Sequence, residues 1–212
     1  MRRAEFTNNE YYHIFNRGVD KRTIFADKRD VDRFYQSMIE FNTLEPIGSI
    51  YENSFRKSPL GSFAPKLQKK IVDFTCYCLN PNHYHFILSP LIDKGIEKFM
   101  HKIGGGYTNY FNEKYKRSGS LFQGVFKAIR IDSNEYLLHL SAYINLNNKV
   151  HSLGSEAPKS SWKEYITDSK ENFCNKKIIL EQFKNNTEYK KFAEDSLVDI
   201  KQRKDIGKLL LE

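Results

Sequence analysis

The fold is decided by the stretch IVDFTCYCLNPNHYHFILS, residues 71–89. Both halves, 71–79 and 83–89, are rich in β-branched and aromatic residues, which is the composition of strands. The Asn-Pro-Asn triplet at 80–82 is turn chemistry, because both residue types favour tight reversals of the chain. The stretch therefore predicts a β-hairpin, around which the remaining elements can be placed.

The segments on either side of the hairpin alternate between strand and helix patterns. Strand composition covers 11–17 and 120–131, whereas apolar residues at helical spacing cover 27–42, 93–115 and 132–148. Asp132 and Glu135 match a capping box, and three glycines at 104–106 are expected to bend or interrupt their helix. The order β-α-β-β-α-β-α predicts an α+β fold, a small antiparallel sheet with helices on one face that is ferredoxin-like or RRM-like.

Two stretches lie outside this pattern. Residues 44–70 carry three prolines and two glycines among polar residues, which predicts an irregular insertion. Residues 151–212 are polar and lysine-rich with scattered aromatics, which predicts a C-terminal appendage of short helices.

Composition narrows the class of protein. The 212 residues carry a formal charge of +8, which favours a polyanionic partner but is also common in proteins that bind none. Three cysteines without a C-x-x-C pair argue against a disulfide framework or a cysteine zinc site. No apolar run approaches a membrane span of ~18 residues and no signal peptide is recognisable, so a soluble cytoplasmic protein is expected.

Two histidines on the second strand of the hairpin are candidate metal ligands. Side chains alternate along a strand, so His83 and His85 share one face with Ile87, while the intervening Tyr84 and Phe86 face the other way. Imidazoles at positions i and i+2 of a strand can coordinate one metal ion together. They can equally line a polar face of the sheet, and both interpretations stay open.

A second candidate is a tyrosine on the last predicted helix. Tyr143 and Asn147 stand at i and i+4, so they are neighbours on one helical face. A phenol beside an amide oxygen can present a nucleophile together with a metal ligand. Most helical tyrosines pack in a core instead.

Five segments together carry a resemblance to a known family. They are YYHIFNRG (11–18), PNHYH (81–85), YTNYFN (107–112), GSLFQ (119–123) and YINLN (143–147). In this order they resemble the single-tyrosine transposases of the HUH superfamily, and within it the REP-associated tyrosine transposases. The resemblance covers about residues 8–150, and residues 160–165 resemble a segment just beyond that domain.

The resemblance implies a catalytic domain over residues 1–150 with assigned roles. His83 and His85 would hold a divalent metal, Mg²⁺ or Mn²⁺, with Asn147 completing the site and Tyr143 as nucleophile. Attack on single-stranded or hairpin DNA, including palindromic repeats, would give a 5′-phosphotyrosine link and a free 3′-hydroxyl. Asn148 departs from the family, because many relatives have proline there, and 44–70 fits the pattern poorly.

The family also leaves the oligomeric state open. Relatives include homodimers whose tyrosine helix completes the partner's site and monomers that complete their own. No membrane partner is expected.

Residues that surround the proposed site in sequence are candidate DNA contacts. Basic side chains would hold the backbone while aromatic rings stack on unpaired bases. A solvated face above a core stripe explains the same pattern. The candidates are Arg17, Lys102, Tyr107, Arg117, Gln123, Lys127 and Arg130.

Two other functions compete with transposition. One is a domesticated protein that grips structured nucleic acid without cutting it. The other is replication initiation or conjugative nicking by the same chemistry, which the short chain without a Walker loop makes less favoured.

Overall fold

A computed structural model describes residues 5–45, 47–50, 69–150, 159–167 and 173–202. Most of the predicted insertion, at 46 and 51–68, lies outside the described residues. So do parts of the predicted appendage, at 151–158, 168–172 and 203–212.

The described chain contains four strands and seven α-helices. The bounds are β1 (Tyr12–Arg17), a 3-10 turn (Val19–Lys21), α1 (Lys28–Glu40), β2 (Val72–Asn80), β3 (His83–Pro90), α2 (Gly95–Lys114), β4 (Lys127–Arg130), α3 (Asn134–Asn145), α4 (Asn147–Val150), α5 (Trp162–Ile166), α6 (Lys177–Leu180) and α7 (Asn186–Gln202).

The four strands form one antiparallel sheet in the order β2-β3-β1-β4. With α1 between β1 and β2 and α2 between β3 and β4, this is the split βαβ arrangement of ferredoxin-like folds. The predicted α+β class and antiparallel sheet are confirmed. The predicted hairpin is β2–β3, in which Asn80 pairs with His83 and Cys78 with His85.

The helices cover both faces of the sheet, not one as predicted. One core joins Tyr84 and Phe86 of β3 to Phe34 of α1 and Phe99 of α2. A second core, on the opposite face, joins α3, α5 and α7 to β2 and β3; its members include Cys76, Cys78, Ile87, Leu140, Tyr165 and Tyr189. The reason is that every residue of β3 is buried, so neither face of this strand can be left to water.

Two details of the helices differ from the sequence pattern. Helix α2 runs unbroken from Gly95 to Lys114 through the three glycines. Gly106 allows the helix to pack closely against Phe41, because a Cβ at this position would come within 2.7 Å of the Phe41 ring. The cap of α3 is Ser133, whose side chain accepts a hydrogen bond from Tyr136 N, and not the predicted Asp132.

None of the described helices combines the length and apolar character that a membrane span requires.

A buried side-chain amide forms hydrogen bonds with the backbone at the start of β2. These bonds lead to a prediction about stability. Asn42 Nδ2 donates to Val72 O, and Asn42 Oδ1 accepts from Ile71 N and Val72 N, at 2.9, 3.1 and 3.0 Å. Asn42→Ala leaves three buried backbone groups without their hydrogen-bond partner, and we expect the free energy of unfolding to fall by about 2–3 kcal/mol. Urea denaturation measures this free energy. Asn134→Ala, which removes two exposed hydrogen bonds with Gln182, should change the free energy of unfolding by less than about 0.5 kcal/mol.

Candidate active site

The candidate site lies on the sheet face that α3 covers. Register brings residues from three strands to it: His85 stands between Phe15 of β1 and Cys78 of β2, and His83 stands between Arg17 and Asn80. The two histidine rings are adjacent, with centroids 5.1 Å apart. The alternation predicted from the sequence therefore places both imidazoles side by side.

The hydrogen bonds of His83 define which nitrogen could bind a metal. Its Nδ1 is 2.6 Å from Asn82 Oδ1, which can only accept, so Nδ1 carries the proton. In the neutral ring, Nε2 then carries the lone pair. That nitrogen lies 2.8 Å from Asn80 Nδ2 and 3.3 Å from Asn147 Oδ1. The structure thus brings together His83 and Asn147, which are 64 residues apart.

The second histidine is oriented by a third one. His85 Nδ1 lies 2.9 Å from His13 Nε2, and the two rings stack. Burial lowers the pKa of His13 to about 3, so this imidazole is neutral at neutral pH. When His85 Nδ1 donates to it, His85 Nε2 keeps its lone pair for a metal, the usual arrangement of a ligand held by an outer partner.

The contact of His13 with His85 is not among the features predicted from the sequence. His13 lies two residues before Phe15, which pairs with His85 across the sheet. The contact could be predicted only once that register is known.

Tyr143 reaches the histidines within its own chain. Its ring meets His85 edge to face, with centroids 5.8 Å apart and planes at 80°. The side chain is completely buried in the second core. An open pocket reaches His83 and His85 from the β1 and β4 side, and among the described residues Tyr143 does not line it.

The appendage anchors the helix that carries Tyr143. The Tyr189 hydroxyl of α7 lies 3.1 Å from Ser141 Oγ and accepts from Asn145 Nδ2 at 2.9 Å. Ser161 Oγ, just before α5, donates to Asn145 Oδ1 at 2.6 Å. These contacts flank Tyr143 in sequence on both sides, so the described part of 151–212 fixes where the phenol stands.

Three of the predicted DNA contacts surround the pocket. Arg17, Gln123 and Lys127 line it together with both histidines. Arg17 Nε donates to Gln123 Oε1, and Gln123 N donates to Arg17 O at 2.8 Å. Arg17 Nη1 is buried without a hydrogen-bond partner within the described residues, which suits an anion in the pocket.

The other four predicted contacts lie elsewhere. Tyr107 is fully buried in the first core, where its hydroxyl donates to Ile24 O at 2.6 Å, so its prediction as a base-stacking residue is wrong. Lys102 donates to Thr43 O at 2.6 Å on that same side of the sheet. Arg117 donates to Asn112 and Ser120, and Arg130 pairs with Glu10. None of these four lines the pocket.

The donors at the site suit a divalent ion. Nowhere in the described residues do three or more His, Cys, Asp and Glu side chains converge as a metal site. The candidate ligands are instead two imidazoles and the Asn147 amide oxygen, with the ring nitrogens oriented by His13 and Asn82. Imidazole and oxygen donors fit Mn²⁺ or Mg²⁺, with substrate and water oxygens filling the remaining positions.

Comparison with known proteins finds one family model that matches the chain. The family model described as "Transposase IS200 like" matches residues 49–147, from the segment before β2 to the end of the Tyr143 helix. The predicted family resemblance is confirmed. No curated protein matches the chain.

The likeness to IS200-like transposases extends to a solved structure. A REP-associated tyrosine transposase bound to a REP hairpin is similar in fold, with a TM-score of 0.55 over 78% of this chain and 84% of that chain. Since sequence identity is 13%, this similarity concerns the fold alone.

The hydrogen bonds between Tyr189 and α3 lead to a second prediction. Tyr189→Phe removes the hydroxyl that accepts from Asn145 Nδ2, and a buried amide then lacks a partner. We expect the free energy of unfolding to fall by about 1–2 kcal/mol, measured by urea denaturation. Tyr136→Phe is the matched control on α3, because no hydrogen bond in the described chain involves that hydroxyl. Equal effects in the two variants would contradict the stabilising role of the Tyr189 hydroxyl.

Proposed function

We propose that this chain is a metal-dependent DNA endonuclease and strand transferase that works through a 5′-phosphotyrosine intermediate. The family match supports a transposase role. The observation that carries the finer proposal is the meeting of three elements: Tyr143 of α3 lies edge-on to His85, while His83 adjoins Asn147.

Each residue has a defined task in this proposal. His83 Nε2, His85 Nε2 and Asn147 Oδ1 would hold Mg²⁺ or Mn²⁺, which when bound polarises the scissile phosphate and absorbs developing charge. Arg17 and Lys127 hold the phosphodiester from the pocket side.

Tyr143 supplies the nucleophile. Its hydroxyl gives its proton to solvent and forms a bond to phosphorus, while the bond from phosphorus to the 3′ oxygen breaks. The 3′ oxygen takes up a proton from solvent and leaves as a hydroxyl, so no net proton is gained or lost. The 5′ phosphate stays on the tyrosine, and a later 3′-hydroxyl can reverse the step, so strand transfer needs no ATP.

The position of Tyr143 bears on which chain supplies the nucleophile. Because its ring already contacts His85 of the same chain, we infer that the site is completed in cis. Since the ring is fully buried, DNA binding must turn the phenol toward the pocket before attack.

The expected DNA is single-stranded or hairpin, and the REP hairpin in the structural neighbour is in line with that. A homodimer and a cytoplasmic location stay predictions.

One observation favours the alternative of a nucleic-acid-binding protein without cleavage. The complete burial of Tyr143 is what a purely structural tyrosine would show. The test below separates the two functions.

Replacement of the nucleophile makes the third prediction. Purified protein, a labelled hairpin oligonucleotide from palindromic repeats near the gene, and Mn²⁺ should give a covalent adduct that survives denaturing electrophoresis. Tyr143→Phe should lower the adduct by more than about 1,000-fold, because the proposed mechanism uses this phenol as its nucleophile. DNA binding should persist.

Tyr136→Phe, two turns before Tyr143 on α3, is the control and should keep the adduct. Hairpin binding with no adduct in the wild type under Mn²⁺ or Mg²⁺ would favour the binding-only function. An undiminished adduct in Tyr143→Phe would remove this tyrosine from the mechanism.

The pocket cations make the fourth prediction. Arg17→Ala and Lys127→Ala should each weaken hairpin binding and reduce the slope of log K against log salt by about 0.7–0.9, one phosphate contact apiece. Fluorescence anisotropy at several salt concentrations measures this. Lys28→Ala, an exposed cation at the start of α1 on the other side of the sheet, should leave the slope unchanged. A slope that does not differ between the three variants would argue against the pocket as the DNA site.

A further inference from the structure

The residue that ends β2 occupies a position at the candidate metal site that the mechanism above does not use. Asn80 is fully buried and pairs with His83 across the hairpin. Its Nδ2 donates to His83 Nε2 at 2.8 Å and also to Asn147 Oδ1. One amide group thus sits between the two acceptors that the proposed function assigns to the ion.

Two lone pairs aimed at one point are the arrangement that a cation requires, and here the Asn80 amide protons supply the positive partial charge. The distances from His83 Nε2 to the two amides also fit. Neighbouring ligands on an octahedral ion with bonds of about 2.1 Å are about 3 Å apart. His83 Nε2 lies 2.8 Å from the Asn80 amide and 3.3 Å from Asn147 Oδ1.

The amide of Asn80 can exchange its donor for an acceptor without moving the backbone. The NH2 group and the oxygen are nearly equal in size, so a half-turn about the Cβ–Cγ bond places Oδ1 where Nδ2 stands. In the present orientation Oδ1 accepts from Cys78 Sγ at 3.5 Å, and a thiol is a weak donor. The half-turn therefore gives up little on that side.

We propose that Asn80 is a further protein ligand of the ion, joining His83, His85 and Asn147 through Oδ1. In the ion-free protein, its NH2 group holds His83 and Asn147 together, so the site is preorganised. This inference rests on the proposed metal site. Its consequence is a site with a second hard oxygen donor, which suits Mg²⁺ and Mn²⁺ better than two imidazoles and one amide do.

The test is a Mn²⁺ titration of the full-length, DNA-free protein, followed by isothermal calorimetry and by the electron paramagnetic resonance signal of free Mn²⁺. Asn80→Ala should raise the dissociation constant by about 10-fold or more, since an oxygen ligand is lost. Asn80→Asp, which keeps the shape and adds a charged oxygen, should lower it by about 10-fold. Asn42→Ala is the matched control, because it loses a buried asparagine at the far end of β2 and should leave the dissociation constant within twofold.

The outcomes separate the two proposals. If the wild type binds Mn²⁺, His83→Ala does not, and Asn80→Ala binds as well as or better than the wild type, the amide is not a ligand and the inference is overturned. If the wild type binds no Mn²⁺, or His83→Ala binds equally well, the metal site itself fails and the inference fails with it. Should Asn80→Ala not fold, as judged by urea denaturation, Asn80→Asp alone decides, and binding no tighter than wild type overturns the inference.

Discussion

The burial of β3 on both faces is the constraint from which the rest of the structure follows. A strand that hides every side chain must be covered by apolar groups above and below, and this chain supplies two separate cores for it. Yet two of the buried residues are histidines. Burying polar groups costs free energy unless each finds a hydrogen-bond partner, so the sheet around them has to be polar at this one place.

The partners come from the two neighbouring strands and from the hairpin turn. His13, Asn80 and Asn82 satisfy the imidazoles at distances from 2.6 to 2.9 Å. A network of this kind, with neutral groups held in fixed orientations, is what a metal site needs before the ion arrives. The same contacts that make the histidines tolerable in a core thus prepare them as ligands.

The C-terminal appendage belongs to the same argument. Tyr143 is useful only if polar contacts hold its helix against the histidine face. Tyr189 and Ser161 provide these contacts through Ser141 and Asn145. The described part of the appendage therefore contributes to the site from behind, without touching the pocket.

By itself, the sequence determined the hairpin, the α+β class, the face shared by His83 and His85, and the family resemblance. These depend on local composition and on a side-chain period of two, which can be read without knowing the fold. Only the tertiary structure decided that α3 covers the second face, that Tyr107 is core, and that Asn80 lies between His83 and Asn147. These facts depend on contacts between residues far apart, such as the 67 positions that separate Asn80 from Asn147. No local pattern specifies such a pair, because sheet register and helix packing bring it together.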